Sequence, residues 1–330
     1  MTLPSQCSLM CLMAFAASIS LSDSALSQKV ASAQNESSDY TLRVNANLVI
    51  LSATVVDHQN ALVSGLSEKN FQVYEDHVLQ TTKYFSHEDI PVTVGLVIDN
   101  SGSMGPKRTD VIAAALSFVG SSNPRDQMFV VNFNEHVSYG LPPATPFTGR
   151  QDQLQRAFST IRTVGETALY DAIAMAIEHL KLGKCDKKVL VVISDGGDNA
   201  SKHNLAQITA IAKASDAIIY TIGIYDDQDG DQNPGVLKRF ARETGGEAFF
   251  PTSSTEIASI CDKIAQDIRN QYTLAYVPST AQLGGAYRSV EVKASSSGHG
   301  RLTVRTRTGY FVPSTPASAA LEMVGHDTHY

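Results

Sequence analysis

Basic clusters are absent from this 330-residue chain, whose formal net charge is −7. Lys and Arg contacts to phosphate dominate nucleic-acid affinity, so the balance argues against a nucleic-acid partner. No glycine-rich loop ends in Gly-Lys-Ser/Thr, which leaves nucleotide binding without support. Past the N-terminal stretch, no apolar run approaches the roughly 20 residues of a membrane span, so no integral span is expected in the mature chain. Lys and Arg are also missing from the first 27 residues, where Leu9–Leu21 forms an apolar run of signal-peptide size. Small residues then offer cleavage after Ser27 or after Ala33. The basic n-region of a signal peptide is not there, but the run and the cleavage points are, and export to the periplasm or the exterior is the expectation. A disordered apolar tail is the alternative, and Cys11 lacks the small-residue pattern of a lipoprotein cysteine. Cysteine is scarce, at four. Only Cys185 and Cys261 outlast the leader, and two free thiols is a plainer reading than one disulfide.

What the chain does contain is organised around Val92–Met104, VTVGLVIDNSGSM. The apolar run to Ile98 has the length and β-branched content of a strand buried on both faces. Asp99-Asn100-Ser101-Gly102-Ser103 follows as a loop at that strand's C-terminal end, where open α/β sheets place their ligands. A carboxylate and two hydroxyls at i, i+2 and i+4 form an all-oxygen set suited to a hard cation such as Mg²⁺.

Before this stretch the pattern is β-like: Leu42, Val44, Ala46 and Leu48 alternate, and Val49–Val56 continues as a strand. Phe71–Tyr74 and Gln80–Phe85 read as strands flanking a turn at Glu75-Asp76-His77, with no helix anywhere between 41 and 88. From Ile90 strands and helices alternate. Strands are expected at Gln127–Phe133, Lys188–Ile193, Ile218–Ile224 and Glu247–Phe250. Helices are expected at Val111–Val119, Asp152–Ile161, Leu169–Leu182, Leu205–Ala214, Val236–Arg242 and Glu256–Asn270. This rhythm implies a mostly parallel sheet with helices on both faces. The end returns to strands at Tyr272–Val277, Tyr287–Ala294 and Leu302–Arg307. Neither terminal β segment could stand alone, so the two are expected to pair into one small β-sandwich.

Two later strand-end loops supply further oxygens. Gly165–Ala172 puts Thr167 at the start of a helix, and Ser194-Asp195-Gly196-Gly197-Asp198 puts Asp195 at the tip of the strand before it. If the strands of Asp99 and Asp195 are adjacent, their tips lie about 5 Å apart.

Asp99-x-Ser101-x-Ser103, Thr167 and Asp195-Gly196 resemble the metal-ion-dependent adhesion site of von Willebrand factor type A domains, over about residues 90–270. The resemblance implies a Mg²⁺ (or Mn²⁺) shell of Asp99, Ser101, Ser103, Thr167 and Asp195. It also implies a protein partner whose exposed acidic side chain fills an open coordination position. The flanks Val63–Leu66, Asn70–Asp76, Gln271–Pro278 and Arg307–Phe311 resemble a bacterial group of von Willebrand A-related domain proteins, which implies a binding mode rather than a particular ligand.

Several rivals remain. Ser101-Gly102-Ser103-Met104-Gly105 nearly matches a nucleophile elbow, which would make Ser103 the nucleophile of a serine hydrolase with Asp195 and His203 as acid and base. A phosphoaspartate phosphatase would want an acid where Ser101 stands. A structural domain whose metal only braces the loops is a further alternative. Asp226–Asp231 is a second acidic loop, read as solvated in preference to a Ca²⁺ site at Asp227, Asp229 and Asp231, since the glycine of an EF-hand turn is missing.

The expected organisation is a signal peptide at 1–27, a linker at 28–40 and the first part of a β-sandwich at 41–89. A doubly wound α/β von Willebrand A-type domain at 90–271 is inserted there, the sandwich resumes at 272–312, and a disordered tail closes the chain at 313–330. Its His326 and His329 are expected to be solvated. The function read from this is a non-enzymatic, metal-dependent protein-binding module serving adhesion or complex assembly.

Overall fold

A computed structural model describes residues 48–158, 162–225, 232–280 and 284–313. The expected leader and linker, the alternation at Leu42–Ala46, the acidic residues Asp227, Asp229 and Asp231, and the tail with His326 and His329 all lie outside the described residues.

The chain opens with β1 (Val49–Val56), β2 (Phe71–Glu75), β3 (Val78–Gln80) and β4 (Thr82–Ser86). It then runs through β5 (Val92–Asp99), α1 (Arg108–Ser121), β6 (Gln127–Phe133), β7 (Val137–Tyr139), α2 (Gln151–Phe158), α3 (Leu169–Leu180) and β8 (Lys187–Ser194). Next come α4 (Leu205–Ala214), β9 (Ala217–Gly223), α5 (Pro234–Thr244), β10 (Ala248–Phe249) and α6 (Ser254–Arg269). The chain closes with β11 (Tyr272–Tyr276), β12 (Tyr287–Ala294), β13 (Thr303–Arg305) and β14 (Gly309–Phe311).

The central sheet has the order β10-β9-β8-β5-β6-β7, parallel except for β7. Every residue of β5 is buried, because β8 and β6 cover its two edges and helices cover its two faces. The α3, α4 and α5 helices pack in one group and α1, α2 and α6 in another, which makes the sheet doubly wound. Gly95 is required at the centre of β5, since a Cβ there would meet Leu190 and Phe129 at 2.5 Å. Local chemistry sets the helix ends. Asn204 and Gln207 form a reciprocal capping box for α4, while α5 begins with Asn233 accepting Val236 N–H and ends at Gly245 with φ of +88°.

The two terminal β segments interleave as expected. One sheet runs β13-β1-β11-β4 and the other β14-β12-β2-β3, so each mixes strands from before and after the α/β insert. Leu51, Ala53, Phe71, Val73, Leu274 and Val290 share one apolar core between them. The buried Glu75 takes the hydroxyls of Tyr276 at 2.7 Å and Tyr310 at 2.8 Å. Arg305 of β13 pairs with Glu247 and Asp267, tying the sandwich to the α/β layers.

Several expectations need correction. The segment read as one strand at Gln80–Phe85 is broken at Thr81: β3 pairs with β2 in one sheet and β4 with β11 in the other. The turn before it holds, with Asp76 and His77 at φ of +46° and +65°. Residues 41–88 are not free of helix, since Glu68–Asn70 form one 3-10 turn. The Leu302–Arg307 strand shrinks to Thr303–Arg305, and β14 follows it unforeseen. β7 was also unforeseen, being a three-residue antiparallel edge with no apolar run to announce it. Cys185 and Cys261 are free thiols, and burial pushes the Cys261 thiol up to about 12.

Candidate functional site

β5 and β8 are neighbours in register, Ile98 opposite Ile193, so Asp99 and Asp195 do emerge from adjacent strand tips. Asp99 is buried, and its carboxylate is bound on both sides: Oδ1 accepts Ser101 N–H at 2.8 Å and Oδ2 accepts the Ser194 hydroxyl at 2.6 Å. Past Ser101 the chain makes one 3-10 turn, Gly102–Met104, with the Met104 side chain fully buried beneath it. That anchor turns Ser103 toward the second strand. Its hydroxyl donates to Asp195 Oδ2 at 2.6 Å and lies 3.2 Å from Ser101 Oγ. Gly196 has φ of +83°, and a Cβ there would meet Asn233 O at 2.5 Å, so only glycine lets the Asp195 loop turn so tightly.

Thr167 enters differently from the expectation. Its loop joins α2 to α3 and is not at a strand end. It reaches the site because Gly165 O accepts Gly102 N–H at 3.0 Å on one side, while Thr167 N–H donates to Asn199 Oδ1 at 2.8 Å on the other. Ser101, Ser103, Thr167 and Asp195 line one depression of about 260 Å³. Asp99 lies behind them rather than on its wall. The structure thus gathers all five sequence-derived residues, four lining the depression and Asp99 buried behind them.

Burial, reinforced by the neighbouring Asp195 charge, pushes the Asp99 carboxyl up to about 7, against the hydrogen bonds from Ser101 and Ser194. Among the described residues, those acting most on it are Ser101, Ser194 and Asp195, none of them a cation. Arg108 reaches Asn100 Oδ1 and Phe158 O, and Lys107 Nζ donates to Ile224 O at 3.1 Å. A buried carboxylate beside a second one, with hydroxyls converging on them, fits a hard divalent ion. Among the described residues no three His, Cys, Asp or Glu side chains could together hold a metal. The fit therefore depends on hydroxyl oxygens beside only two carboxylates.

The three residues of the hydrolase alternative take different partners. The Ser103 hydroxyl donates to Asp195, and His203 Nδ1 lies 2.6 Å from Asp171 Oδ1. The sequence reading missed Ser194 and Asn199. One ends β8 and the other lies in the loop after it, and neither has a spacing that announces its partner.

The von Willebrand factor type A domain model matches residues 93–263, just over half of the chain. Among curated proteins none matches. Solved structures similar to the chain include a von Willebrand factor type A protein from Catenulispora acidiphila, at 14% identity and a TM-score of 0.48, covering 81% of this chain and 74% of that one. Another is the vWF domain of the type V pili tip protein Mfa5 from Porphyromonas gingivalis, at 16% identity and a TM-score of 0.46, covering 55% of this chain and 95% of that one. A third is an aerotolerance-related membrane protein from Bacteroides fragilis, at 17% identity and a TM-score of 0.44, covering 54% of this chain and 98% of that one.

Proposed function

The chain belongs to the von Willebrand factor type A domain family, and from that premise we propose that it is a metal-dependent protein-binding module. Domains of this family are generally non-catalytic interaction modules. The finer reading is that Asp99, Ser101, Ser103, Thr167 and Asp195 hold Mg²⁺ or Mn²⁺, and that an acidic side chain of a partner protein docks there. The observation that carries it is the convergence of Ser101, Ser103 and Asp195 Oδ2 above the buried Asp99 carboxylate. A divalent ion there would supply the concentrated positive charge that a partner carboxylate seeks. The chain's own part is to fix the oxygens: β5 and β8 set the two carboxylates side by side, and the 3-10 turn points Ser103 at Asp195.

The same reading makes the protein non-enzymatic, since Ser103 and His203 are each committed to a separate carboxylate. It makes the protein exported through the N-terminal leader, and it places the binding module at 90–271 within a sandwich of 41–89 and 272–312. No described helix is long and apolar enough to cross a membrane.

One observation favours the second reading, a metal that only braces the loops. Gly102 N–H to Gly165 O and Asn199 N–H to Thr167 O, both 3.0 Å, already bind the three loops to one another, and an ion would add to that bracing. Pull-down from the native cell envelope with and without EDTA separates the two. Capture that requires Mg²⁺ and is lost with EDTA supports the docking function. Capture indifferent to EDTA, from a protein that nonetheless binds Mg²⁺, leaves bracing.

A further inference from the structure

We propose that Asn199 is a positioning residue of this site that sets its preference for a small cation over a larger one; the inference rests on the metal-site reading above. Asn199 meets Thr167 twice. Its Oδ1 accepts Thr167 N–H at 2.8 Å, and its own N–H donates to Thr167 O at 3.0 Å, a carbonyl that Ala200 N–H also reaches at 3.0 Å. On the other side the Thr167 segment is held through Gly165 O to Gly102 N–H at 3.0 Å and through Ala168 N–H to Asn134 O at 2.8 Å. Thr167 is therefore suspended between the loop of Asp99 and the loop of Asp195. Of these bonds, only the one to Asn199 Oδ1 is made by a side chain.

The chemistry follows from what the two ion sizes tolerate. Mg²⁺ demands a near-ideal octahedron at about 2.0–2.1 Å, whereas Ca²⁺ accepts irregular shells at about 2.3–2.6 Å. A hydroxyl held at a fixed place favours the stricter ion. Freeing Thr167 by one hydrogen bond lets its segment shift, which costs the tight shell more than the loose one. Asn199 is exposed and lines the depression, so its truncation opens no core cavity, and its main-chain bond to Thr167 survives.

The test titrates the EDTA-stripped full chain by calorimetry, with Mg²⁺ and with Ca²⁺ separately, for wild type, Asn199→Ala and Asn199→Asp. Melts in EDTA check that each variant is folded. Asn199→Ala is expected to bind Mg²⁺ about fivefold more weakly, the worth of one net hydrogen bond, with Ca²⁺ affinity changed less than about twofold. Asn199→Asp keeps an acceptor for Thr167 N–H. Its added charge tightens both ions, but the Mg²⁺/Ca²⁺ ratio is expected to return to that of wild type. An unchanged ratio in Asn199→Ala, or an Asn199→Asp ratio equal to that of Asn199→Ala, overturns the inference while leaving the metal site standing. A wild-type protein that binds neither ion overturns the metal reading, and this inference with it.

Discussion

Ser103 Oγ donates to Asp195 Oδ2 at 2.6 Å, closing a link between residues 92 positions apart across the tips of two neighbouring strands. With Asp99 buried directly behind, this hydrogen bond holds two acidic loops together where their charges oppose each other.

That opposition predicts the behaviour of Asp99→Ala. The substitution should abolish Mg²⁺ binding, and with it the metal-dependent rise in melting temperature expected of the wild type by mass action. In EDTA above about pH 7 the variant should melt higher than wild type, because a buried charge facing Asp195 has been removed. Ser101→Ala should retain a reduced shift, since water can replace one hydroxyl ligand of a cation that already keeps several. Thermal melts across a Mg²⁺ titration measure all three. Equal metal-dependent shifts in wild type and Asp99→Ala would place the ion elsewhere.

The pH dependence carries a definite sign. The Asp99 carboxyl stands at about 7 in the folded chain, above the roughly 3.9 of an unfolded Asp. Between these values the native state keeps a proton that the unfolded state has released, so stability falls as pH rises and the full penalty is present above about 7. In EDTA the melting temperature of wild type relative to Asp99→Asn should therefore drop from pH 5 to pH 8. Asp267, which burial raises to about 6, acts in the same direction in both proteins and cancels in the difference. Parallel melting curves for the two proteins over that range would contradict the assignment.

Glu75 should be the costliest polar residue of the sandwich to remove. Its Oε2 takes two tyrosine hydroxyls, and both belong to strands from the far side of the insert. Glu75→Ala leaves both hydroxyls buried without this acceptor and should cost about 3 kcal/mol, whereas Glu75→Gln, which keeps an acceptor, should cost about 1 kcal/mol. Urea midpoints at constant m-value give the comparison. Equal losses for the two variants would show that packing, not the acceptor, matters there.

The interleaved sheets also predict how fragments behave. Residues 90–271 alone should fold on their own core, which contains the whole six-stranded sheet. Residues 41–89 alone should not, since β1 lacks β11 and β13, and β2 lacks β12. Amide dispersion in isolated 41–89, read by NMR, is expected to be that of an unfolded chain. Sharp dispersion there would be incompatible with the shared sandwich.

Legible in the amino-acid order alone are the α/β rhythm, the buried strand Val92–Ile98, the Asp99–Ser103 loop and the Asp195 tip. Each depends on interactions local in the chain: β-branched runs, a strand followed by a polar turn, a glycine where the chain must reverse. It also implied the shared sandwich, because neither terminal segment holds enough strands to fold alone. The rest came from packing between distant segments. Val78–Ser86 divides between two sheets because β2 and β11 offer edges on opposite sides of Thr81, a choice that no periodicity over so few residues encodes. Thr167 arrives from a helix–helix loop, held by main-chain bonds to partners far away in sequence. Asn199 matters only through the backbone of a residue 32 positions earlier. Such contacts join segments far apart in the chain, and for that reason their residue types alone could not announce them.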